Sequence, residues 1–392
     1  MKKLVYLLTL ILIFSNLSFS QEKNDNDEKL NKNLPIKPER YFQLKTDNGS
    51  WMSVDVSPNG ETIVFDLLGD IYSMPISGGK ATRITKGMAF DSHPKFSPDG
   101  KSLAYISDKS GGNNVWIRDI ESNDSTQITK ETDNQTAFVD WTKDGDYLII
   151  AKGRRNLKLH MYHKDGGGGV KLIDKPSSIK IVQPEVGAND RYIWYANRTN
   201  SWQYNAGLPQ YQISKYVRET GEVKRETSRF GSAFTPTISP DGKNLVYGTR
   251  YEDKTALRIR SLETGYEKWL AFPVQKDDQE SQATMGVLPN MAFTPDSKHL
   301  ILSYGGKINK IDIEEGVSNE IPFLINETIE VGPELKFDYK ISDDKTMIVN
   351  QIRNPSLSPD NKKVAFTSLN KLYLMELETN EIIRLTSFED EI

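Results

Sequence analysis

One short motif recurs along most of the sequence. A polar turn precedes a short apolar strand, first as Ser57-Pro58-Asn59-Gly60 before Thr62-Ile63-Val64-Phe65, and next as Ser97-Pro98-Asp99-Gly100 before Ser102-Leu103-Ala104-Tyr105. Equivalent strand residues in seven copies, spaced 40, 45, 45, 52, 55 and 64 residues apart, are Ile63, Leu103, Leu148, Ile193, Leu245, Leu300 and Val364. Self-similarity of this kind indicates one supersecondary unit built seven times along the chain.

The residue types of the motif suit a bulged hairpin. Proline holds φ near −65°, which fits the second position of a type I turn. Glycine then takes the left-handed conformation that lets the two strands rejoin. Ser297 and Asn361 stand where the other turns have glycine, so we expect these two residues to adopt that conformation at a higher cost.

Each unit contains enough strands for a propeller blade. After the turn and its strand come an alternating strand, such as Asn114-Val115-Trp116-Ile117-Arg118, and a short fourth strand that ends in Gln127-Ile128-Thr129. Four strands in 40 to 45 residues predict an all-β fold, a β-propeller of about seven four-stranded blades. Six or eight blades, or an incompletely closed ring, are the alternatives. The segment 41–45 is predicted to close the ring by adding a strand to the final blade.

The N-terminus has the pattern of an export signal. Lys2 and Lys3 precede an apolar run at 4–14, and small residues at 18 and 20 mark a cleavage site after Ser20. The apolar run is about half the length of a membrane-spanning helix, so a permanent anchor is the alternative that we favour less. We therefore expect a signal peptide at 1–20, a flexible linker at 21–40 and the propeller at 41–392, in a periplasmic or secreted protein without a transmembrane anchor after cleavage.

Composition excludes several classes of function. A formal charge of −4 gives no basic excess for nucleic acid, and zero cysteines exclude disulfides and thiolate metal sites. His160 and His163 lie three apart on a predicted strand, so they face opposite sides and are not expected to share a zinc ion. The glycine run 166–169 lacks a following helix and is interpreted as a turn. We predict no catalytic residue, no metal and no cofactor.

The widening spacings locate three insertions, at 198–210, 273–285 and 322–347. Long connections in a repeat protein are often functional, and aromatic and amide side chains are common anchors of interfaces. The candidate partner-binding residues in the first two insertions are Trp202, Tyr204, Asn205, Gln210, Tyr211, Asp277, Asp278 and Glu280. Core packing of the aromatics, and a solvated loop for the acids, are the structural alternatives.

The repeats resemble a known family. The pattern S-P-D-G-K-x-[LI]-[AV]-[YF], followed by a strand and Leu-Thr, is similar to the WD40-like (PD40) repeats of TolB-type propellers. Segments 51–58, 65–72, 202–206 and 304–308 resemble more specifically the propeller that precedes a metal-dependent amidohydrolase domain in certain secreted proteins. The resemblance covers residues 48 to 386 or so and includes the propeller only, so it supplies no catalytic residue.

These observations leave three functional hypotheses. The first is an exported, non-catalytic propeller that serves as a protein-binding or scaffold module, as the TolB resemblance implies. The second is the accessory or substrate-gating half of a truncated or split amidohydrolase-type hydrolase, with that hydrolase domain as partner. The third, an independent propeller enzyme acting on glycans or peptides, requires reactive side chains that the sequence does not identify. Enzymatic activity of the chain alone is accordingly left open.

Overall fold

The computed structural model describes residues 37–198, 207–279, 286–334 and 342–387, and within these ranges every regular element is a strand. The chain forms two compact units, Met1–Pro333 and Glu334–Ile392. Among the described residues, no helix is long and apolar enough to cross a membrane.

The first unit contains six four-stranded antiparallel sheets, and consecutive strands are neighbours in each. The unit begins with β1 (Arg40–Thr46), which is not part of sheet 1. Sheet 1 comprises β2 (Val54–Val56), β3 (Thr62–Leu67), β4 (Asp70–Pro75) and β6 (Thr82–Arg83). The short strand β5 (Gly79–Lys80) lies between β4 and β6 in sequence but pairs elsewhere. Sheet 2 comprises β7 (Asp91–Phe96), β8 (Ser102–Ser107), β9 (Asn114–Asp119) and β10 (Ser125–Gln127). Sheet 3 comprises β11 (Gln135–Trp141), β12 (Tyr147–Gly153), β13 (Lys158–His163) and β14 (Gly166–Ile173).

The remaining sheets of the first unit follow the same order. Sheet 4 comprises β15 (Lys180–Val186), β16 (Tyr192–Arg198), β17 (Gln212–Val217) and β18 (Val223–Arg225). Sheet 5 comprises β19 (Phe234–Ile238), β20 (Asn244–Tyr251), β21 (Lys254–Ser261) and β22 (Glu267–Lys276). Sheet 6 comprises β23 (Ala292–Phe293), β24 (His299–Tyr304), β25 (Lys307–Asp312) and β26 (Ser318–Ile321), after which comes β27 (Phe323–Val331).

The second unit holds a seventh four-stranded sheet of the same design. Its strands are β28 (Arg353–Leu357), β29 (Lys363–Ser368), β30 (Lys371–Glu376) and β31 (Ile382–Arg384). Phe366 and Tyr373 stack with ring centroids 5.7 Å apart, as Phe65 and Tyr72 do in sheet 1. Seven four-stranded sheets confirm the predicted all-β propeller class, with six of them in the first unit.

A side-chain hydroxyl and a side-chain oxygen two residues later close the hairpin turns of six of the seven four-stranded sheets; the turn of sheet 4, which begins at Gly187, is the exception. In sheet 2, Gly100 N–H donates to Ser97 O at 2.8 Å, while Ser97 Oγ donates to Asp99 Oδ1 at 2.6 Å and accepts from Ser102 N–H at 2.9 Å. The hydrogen bond from Ser97 holds the pKa of Asp99 below its usual value. The same hydroxyl-to-oxygen pair closes the turns at Ser57–Asn59, Thr142–Asp144, Ser239–Asp241, Thr294–Asp296 and Ser358–Asp360. Ser297 and Asn361 have φ of 62° and 56°, which confirms their predicted left-handed conformation.

The six sheets of the first unit contact one another in chain order, and β2 of sheet 1 contacts β23 and β24 of sheet 6. Val54 N–H donates to Asn290 O at 3.1 Å, and Ser303 Oγ donates to Met52 O at 2.7 Å. Ser303 is buried and Met52 is fully buried, so water does not compete for these bonds. Direct hydrogen bonds therefore join the first sheet to the sixth.

The predicted closing strand pairs elsewhere. β1 lies antiparallel to β27, with Leu44 opposite Glu327, and not against the final sheet. β27 also pairs in parallel with β5, so these three strands form a separate sheet. Buried Leu44, Ile325 and Ile329 pack in the same apolar cluster as Phe65 and Phe323. The prediction for segment 41–45 was wrong because β27, inside the insertion at 322–347, offers an apolar partner strand that the repeat pattern does not include.

Removal of the Ser303 hydroxyl tests the junction between sheets 1 and 6. Ser303→Ala leaves Met52 O buried without this donor, and we expect a loss of about 1 to 3 kcal/mol in the free energy of unfolding. Urea denaturation of the full chain measures this difference. Ser178→Ala is the matched control, since Ser178 is exposed and lies in a loop, and it should change stability by less than about 0.5 kcal/mol. Equal effects of the two substitutions would contradict the proposed importance of the junction.

Candidate functional site

The innermost strands of the first unit place equivalent side chains around one axis. Each of these side chains belongs to the residue three positions before the second residue of the hairpin turn in its sheet. The six residues at this position are Asp55, Lys95, Asp140, Glu185, Thr237 and Ala292. Three acids and one lysine in such a set form a charged site that the sequence analysis missed. An alignment of the six repeats on their hairpin turns would have placed these residues at one equivalent position and so revealed the charged site.

A funnel opens above these side chains at the end where the hairpin turns lie. It has a volume of about 290 Å³ and is lined by residues from all six sheets of the first unit. Its rim carries the second residue of each turn: Pro58, Pro98, Lys143, Ala188, Pro240 and Pro295. Below it, Lys95 and Glu185 also line a narrow continuation of about 10 Å³ that contains Thr237. The four proline rings make most of the rim apolar and stiff, with Lys143 as the charged member of these six, whereas the floor is charged.

Lys95 is the cation at the floor of the funnel. Its Nζ lies 3.5 Å from Asp55 Oδ1 and 3.5 Å from Glu185 Oε2. Burial opposes the charge of Lys95, but Glu185, Asp55 and Asp140 together raise the pKa of its ammonium above the usual value. Lys95 therefore stays protonated, and the carboxylates around it outnumber it.

Two of the acids also join neighbouring sheets. Asp55 Oδ2 accepts a hydrogen bond from Phe96 N–H at 2.8 Å, and Asp140 Oδ2 accepts one from Val186 N–H at 2.6 Å. Between these pairs, Trp141 Nε1 donates to Lys95 O at 3.1 Å. Sheets 1 to 4 are thus linked at the axis by side-chain to backbone bonds. Asp55 and Asp140 have a structural role as well as a place in the funnel.

Burial changes the protonation of the remaining acid. Burial raises the pKa of Glu185 to about 7, even though Lys95 favours its charged form. Burial likewise raises the pKa of Asp55, opposed by Lys95 and by the bond from Phe96 N–H. Glu185 thus titrates near neutral pH at the floor of the funnel. Among the described residues, no group of three or more acidic or histidine side chains is placed to hold a metal ion.

The pKa of Glu185 predicts a pH-dependent stability. The folded carboxyl holds its proton up to pH of about 7, whereas the unfolded one releases it near pH of about 4.3, so unfolding releases a proton between these values. The free energy of unfolding should therefore fall as pH rises through this range, relative to Glu185→Gln, by on the order of 2 kcal/mol. Urea titrations at pH 4.5 and 7.5 measure this difference. Glu219→Gln, an exposed acid in the same sheet, is the matched control and should show no such change. A pH-independent difference between the wild type and Glu185→Gln would contradict the raised pKa.

The first predicted binding loop is only partly described. Trp202, Tyr204 and Asn205 lie outside the described residues. Gln210 and Tyr211 are buried, with 8% and 4% of their surface exposed, and Tyr211 belongs to the largest apolar cluster. The guanidinium of Arg198 lies 5.9 Å from the centre of the Tyr211 ring. Tyr211 thus has the core position that the sequence analysis gave as the alternative, and its part in binding a partner stays a prediction.

Described residues of the second and first predicted loops contact the same short segment, Gly231 and Ser232, just before the first strand of sheet 5. Asp277 pairs with Arg250 at 3.3 Å and Asp278 with Lys276 at 3.4 Å, while Glu280 lies outside the described residues. Gln279 Nε2 donates to Gly231 O at 3.3 Å, and Gln210 N–H donates to the adjacent Ser232 Oγ at 2.7 Å. The described residues Gln210 and Gln279 therefore contact adjacent residues of one segment. Gln210 lies just before the third strand of sheet 4 and Gln279 just after the fourth strand of sheet 5, so both lie at the end opposite the hairpin turns.

Two smaller interpretations concern sheet 3. The glycine run 166–169 is not a turn, because β14 begins at Gly166 and pairs along β13 as the outer strand. A side chain at Gly169, where φ is +65°, would lie 2.5 Å from the Tyr162 ring, so close packing against tyrosine explains this glycine. His160 is buried and His163 is partly exposed, and burial lowers the pKa of His160.

Comparison with known sequences points to a propeller as well. Residues 52–203 match the family model described as the Tricorn protease N-terminal beta propeller domain. Tricorn protease homolog 1 of Streptomyces coelicolor is 30% identical over 102 residues, which is 26% of this chain and 10% of that protein. Dipeptidyl-peptidase 5 of Porphyromonas gingivalis is 32% identical over 91 residues, which is 21% of this chain and 13% of that protein. The chain thus spans a small fraction of these relatives.

Solved structures give the same fold. TolB from Acinetobacter baumannii has a TM-score of 0.53 at 16% identity, covering 71% of this chain and 65% of that one. The tricorn protease has a TM-score of 0.54 at 15% identity, covering 87% of this chain and 32% of that one. These likenesses show that the chain has a β-propeller fold, similar to those of TolB and the tricorn protease.

Proposed function

We propose that the chain is an exported, non-catalytic propeller module that binds a protein partner through its axial funnel. The observation that carries this proposal is the convergence of all six sheets of the first unit on one cavity with an apolar rim and a charged floor. A concave site with a few polar groups at its base is the usual form of a binding site. A protruding segment of a partner, such as a loop or a chain end, matches its small volume.

The chemistry of the funnel supports binding in preference to catalysis. Asp55 and Asp140 accept backbone hydrogen bonds that join adjacent sheets, so movement or protonation of either acid weakens the scaffold. Lys95 is held by acids on two sides. Groups fixed in this way give a partner a preorganised surface at little entropic cost. Export to the periplasm or the medium rests on the lysines, apolar run and small residues at 1–20.

Substitution at the floor of the funnel tests this proposal. The tagged mature chain is used to capture partners from an envelope extract, alongside Glu185→Gln, Glu185→Lys and the control Glu219→Lys. Among the described residues, no backbone N–H donates to the Glu185 side chain, which accepts its hydrogen bond from Lys95, and Glu219 is exposed in the turn between β17 and β18 of the same sheet. We expect the partner recovered by the wild type to be retained by Glu219→Lys and reduced at least tenfold by Glu185→Lys.

A loop variant distinguishes binding at the funnel from binding at the predicted loops. A further variant replaces residues 199–206 with a glycine-serine linker and so removes Trp202, Tyr204 and Asn205. Loss of the partner with this variant alone would assign binding to the predicted loops and contradict the funnel proposal. Retention by every variant would contradict both sites. Thermal unfolding of each variant shows whether the scaffold is intact.

A second function is favoured by the sequence comparisons. Two relatives carry the names of peptidases, and the family model belongs to the propeller domain of a protease. The chain would then be the accessory half of a hydrolase, admitting or excluding substrate at a catalytic domain on a partner. The finer resemblance to amidohydrolase-associated propellers makes that hydrolase class one form of this proposal.

Capture followed by an activity assay distinguishes the two functions. If the accessory function holds, the complex captured from the extract hydrolyses a fluorogenic peptide or an amide substrate. The purified chain without the captured partner should be inactive on both substrates. A captured partner with no hydrolytic activity on either substrate would exclude the accessory function and leave the scaffold function in place.

A further inference from the structure

Another cavity lies at the end of the first unit opposite the hairpin turns, and it shares no lining residue with the funnel. Three segments form most of it: residues 49–51 before β2, residues 275, 276 and 278 at and just beyond the end of β22, and residues 303–306 around the turn between β24 and β25. Its volume of about 470 Å³ is within the range of small-molecule sites. The cavity is therefore large enough for a ligand of one or two rings.

Two aromatic side chains, Trp51 and Tyr304, line the cavity, and both are partly exposed. Tyr304 Oη is hydrogen-bonded with Ser318 Oγ at 2.6 Å, which fixes this ring. Trp51 has a φ of 57°, a left-handed conformation that costs a bulky residue on the order of 1 to 3 kcal/mol, so the surrounding fold holds this residue in place. The two rings thus give the cavity fixed apolar surface.

Asp278 and Gln275 give the cavity hydrogen-bond acceptors. The Asp278 side chain is 15% exposed; its Oδ2 accepts from Gln275 Nε2 at 3.2 Å, and its Oδ1 lies 3.4 Å from Lys276 Nζ. A carboxylate has about four acceptor positions, so these two contacts leave capacity for a ligand. Gln275 Nε2 also donates to Val287 O at 3.1 Å, which fixes the amide and leaves its Oε1 with no hydrogen bond among the described residues. Both acceptors are thus held in place before a ligand arrives.

The charges of the cavity favour a neutral ligand. Of its described lining residues only Lys276 and Asp278 are charged, and they have opposite signs. The Lys276 side chain is 83% exposed, so solvent screens its pairing with Asp278. Burial raises the pKa of Asp278, and Lys276 lowers it in part, so a hydrogen-bond donor on a ligand would further stabilise the carboxylate. An anion would be repelled by Asp278, and a cation by Lys276.

We propose that this cavity binds one or two rings of a neutral carbohydrate, with a C–H face of the sugar against Trp51 and hydroxyls that donate to Asp278 and Gln275. The face of an aromatic ring is electron-rich and attracts C–H groups. A pyranose carries such groups on its ring face and uncharged hydroxyls around its edge, which suits an aromatic wall beside fixed acceptors. This inference is independent of the proposed function, since it concerns other residues and another cavity.

Saturation-transfer NMR titration of the full chain tests the proposal. The neutral probes are glucose, galactose, mannose and cellobiose, and the charged counterparts are the amino sugar and the uronic acid of each hexose. N-acetyl dialanine amide is the neutral peptide probe. We expect at least one neutral sugar to bind, with the strongest saturation transfer to the C–H protons of one ring face, and its charged counterparts to bind at least fivefold more weakly. Since these titrations use the unmodified chain, they do not depend on the folding of any variant.

Substitutions then assign the contacts. Trp51→Ala should weaken binding of the sugar at least tenfold, Trp51→Phe should weaken it less because a ring is kept, and Asp278→Asn should weaken it at least fivefold. Tyr266→Ala and Asp253→Asn, at exposed residues in turns of sheet 5, are the matched controls and should leave the affinity unchanged. Thermal unfolding shows whether each variant is folded.

Four results would each overturn the proposal. They are absence of binding for every neutral sugar, equal binding of the charged counterparts, binding of the neutral peptide alone, and unchanged affinity in a folded Trp51→Ala or Asp278→Asn variant. Failure here leaves the partner capture by the funnel unaffected.

Discussion

The shared axis of six innermost strands is the constraint on which the rest of the first unit depends. Because each sheet contributes the same position to one small space, side chains far apart in sequence are forced together, as Asp55, Lys95, Asp140 and Glu185 show. Charges in such a space must be balanced or hydrogen-bonded. The protein satisfies this requirement with one lysine held by two acids and with acids that accept backbone N–H groups of the next sheet.

Stability and the proposed recognition therefore depend on the same side chains. Asp55 and Asp140 hold adjacent sheets together and also shape the floor of the proposed binding funnel. Glu185 differs, because its side chain pairs with Lys95 at 3.5 Å and does not accept a backbone N–H as Asp55 and Asp140 do. It is therefore the acid of this set that we propose is free to interact with a partner in the funnel.

Local sequence patterns predicted the sheets because the hydrogen bonds and backbone conformations that form their hairpin turns are local in sequence. The turn at Ser97 and Asp99, and the left-handed Ser297, involve residues within five positions of one another. Pairing of β1 with β27 joins residues 279 to 291 positions apart and has no motif, so it was not predicted. The charged axis was missed for another reason: Asp55 and Glu185 belong to one site only when the repeats are superimposed in space. For the predicted loops, the sequence indicated the positions of the insertions but did not show that Tyr211 would be buried.

The pairing of β1 with β27 affects the order in which the chain can fold if it is exported, as we propose. A strand near residue 40 has no partner until residue 331 has been synthesised and has emerged beside it. If the chain crosses a membrane from its N-terminus, its leading strand stays unpaired until nearly all of the first unit has been delivered. Pairing of β1 with β27 would then be one of the last steps of folding on the far side of the membrane.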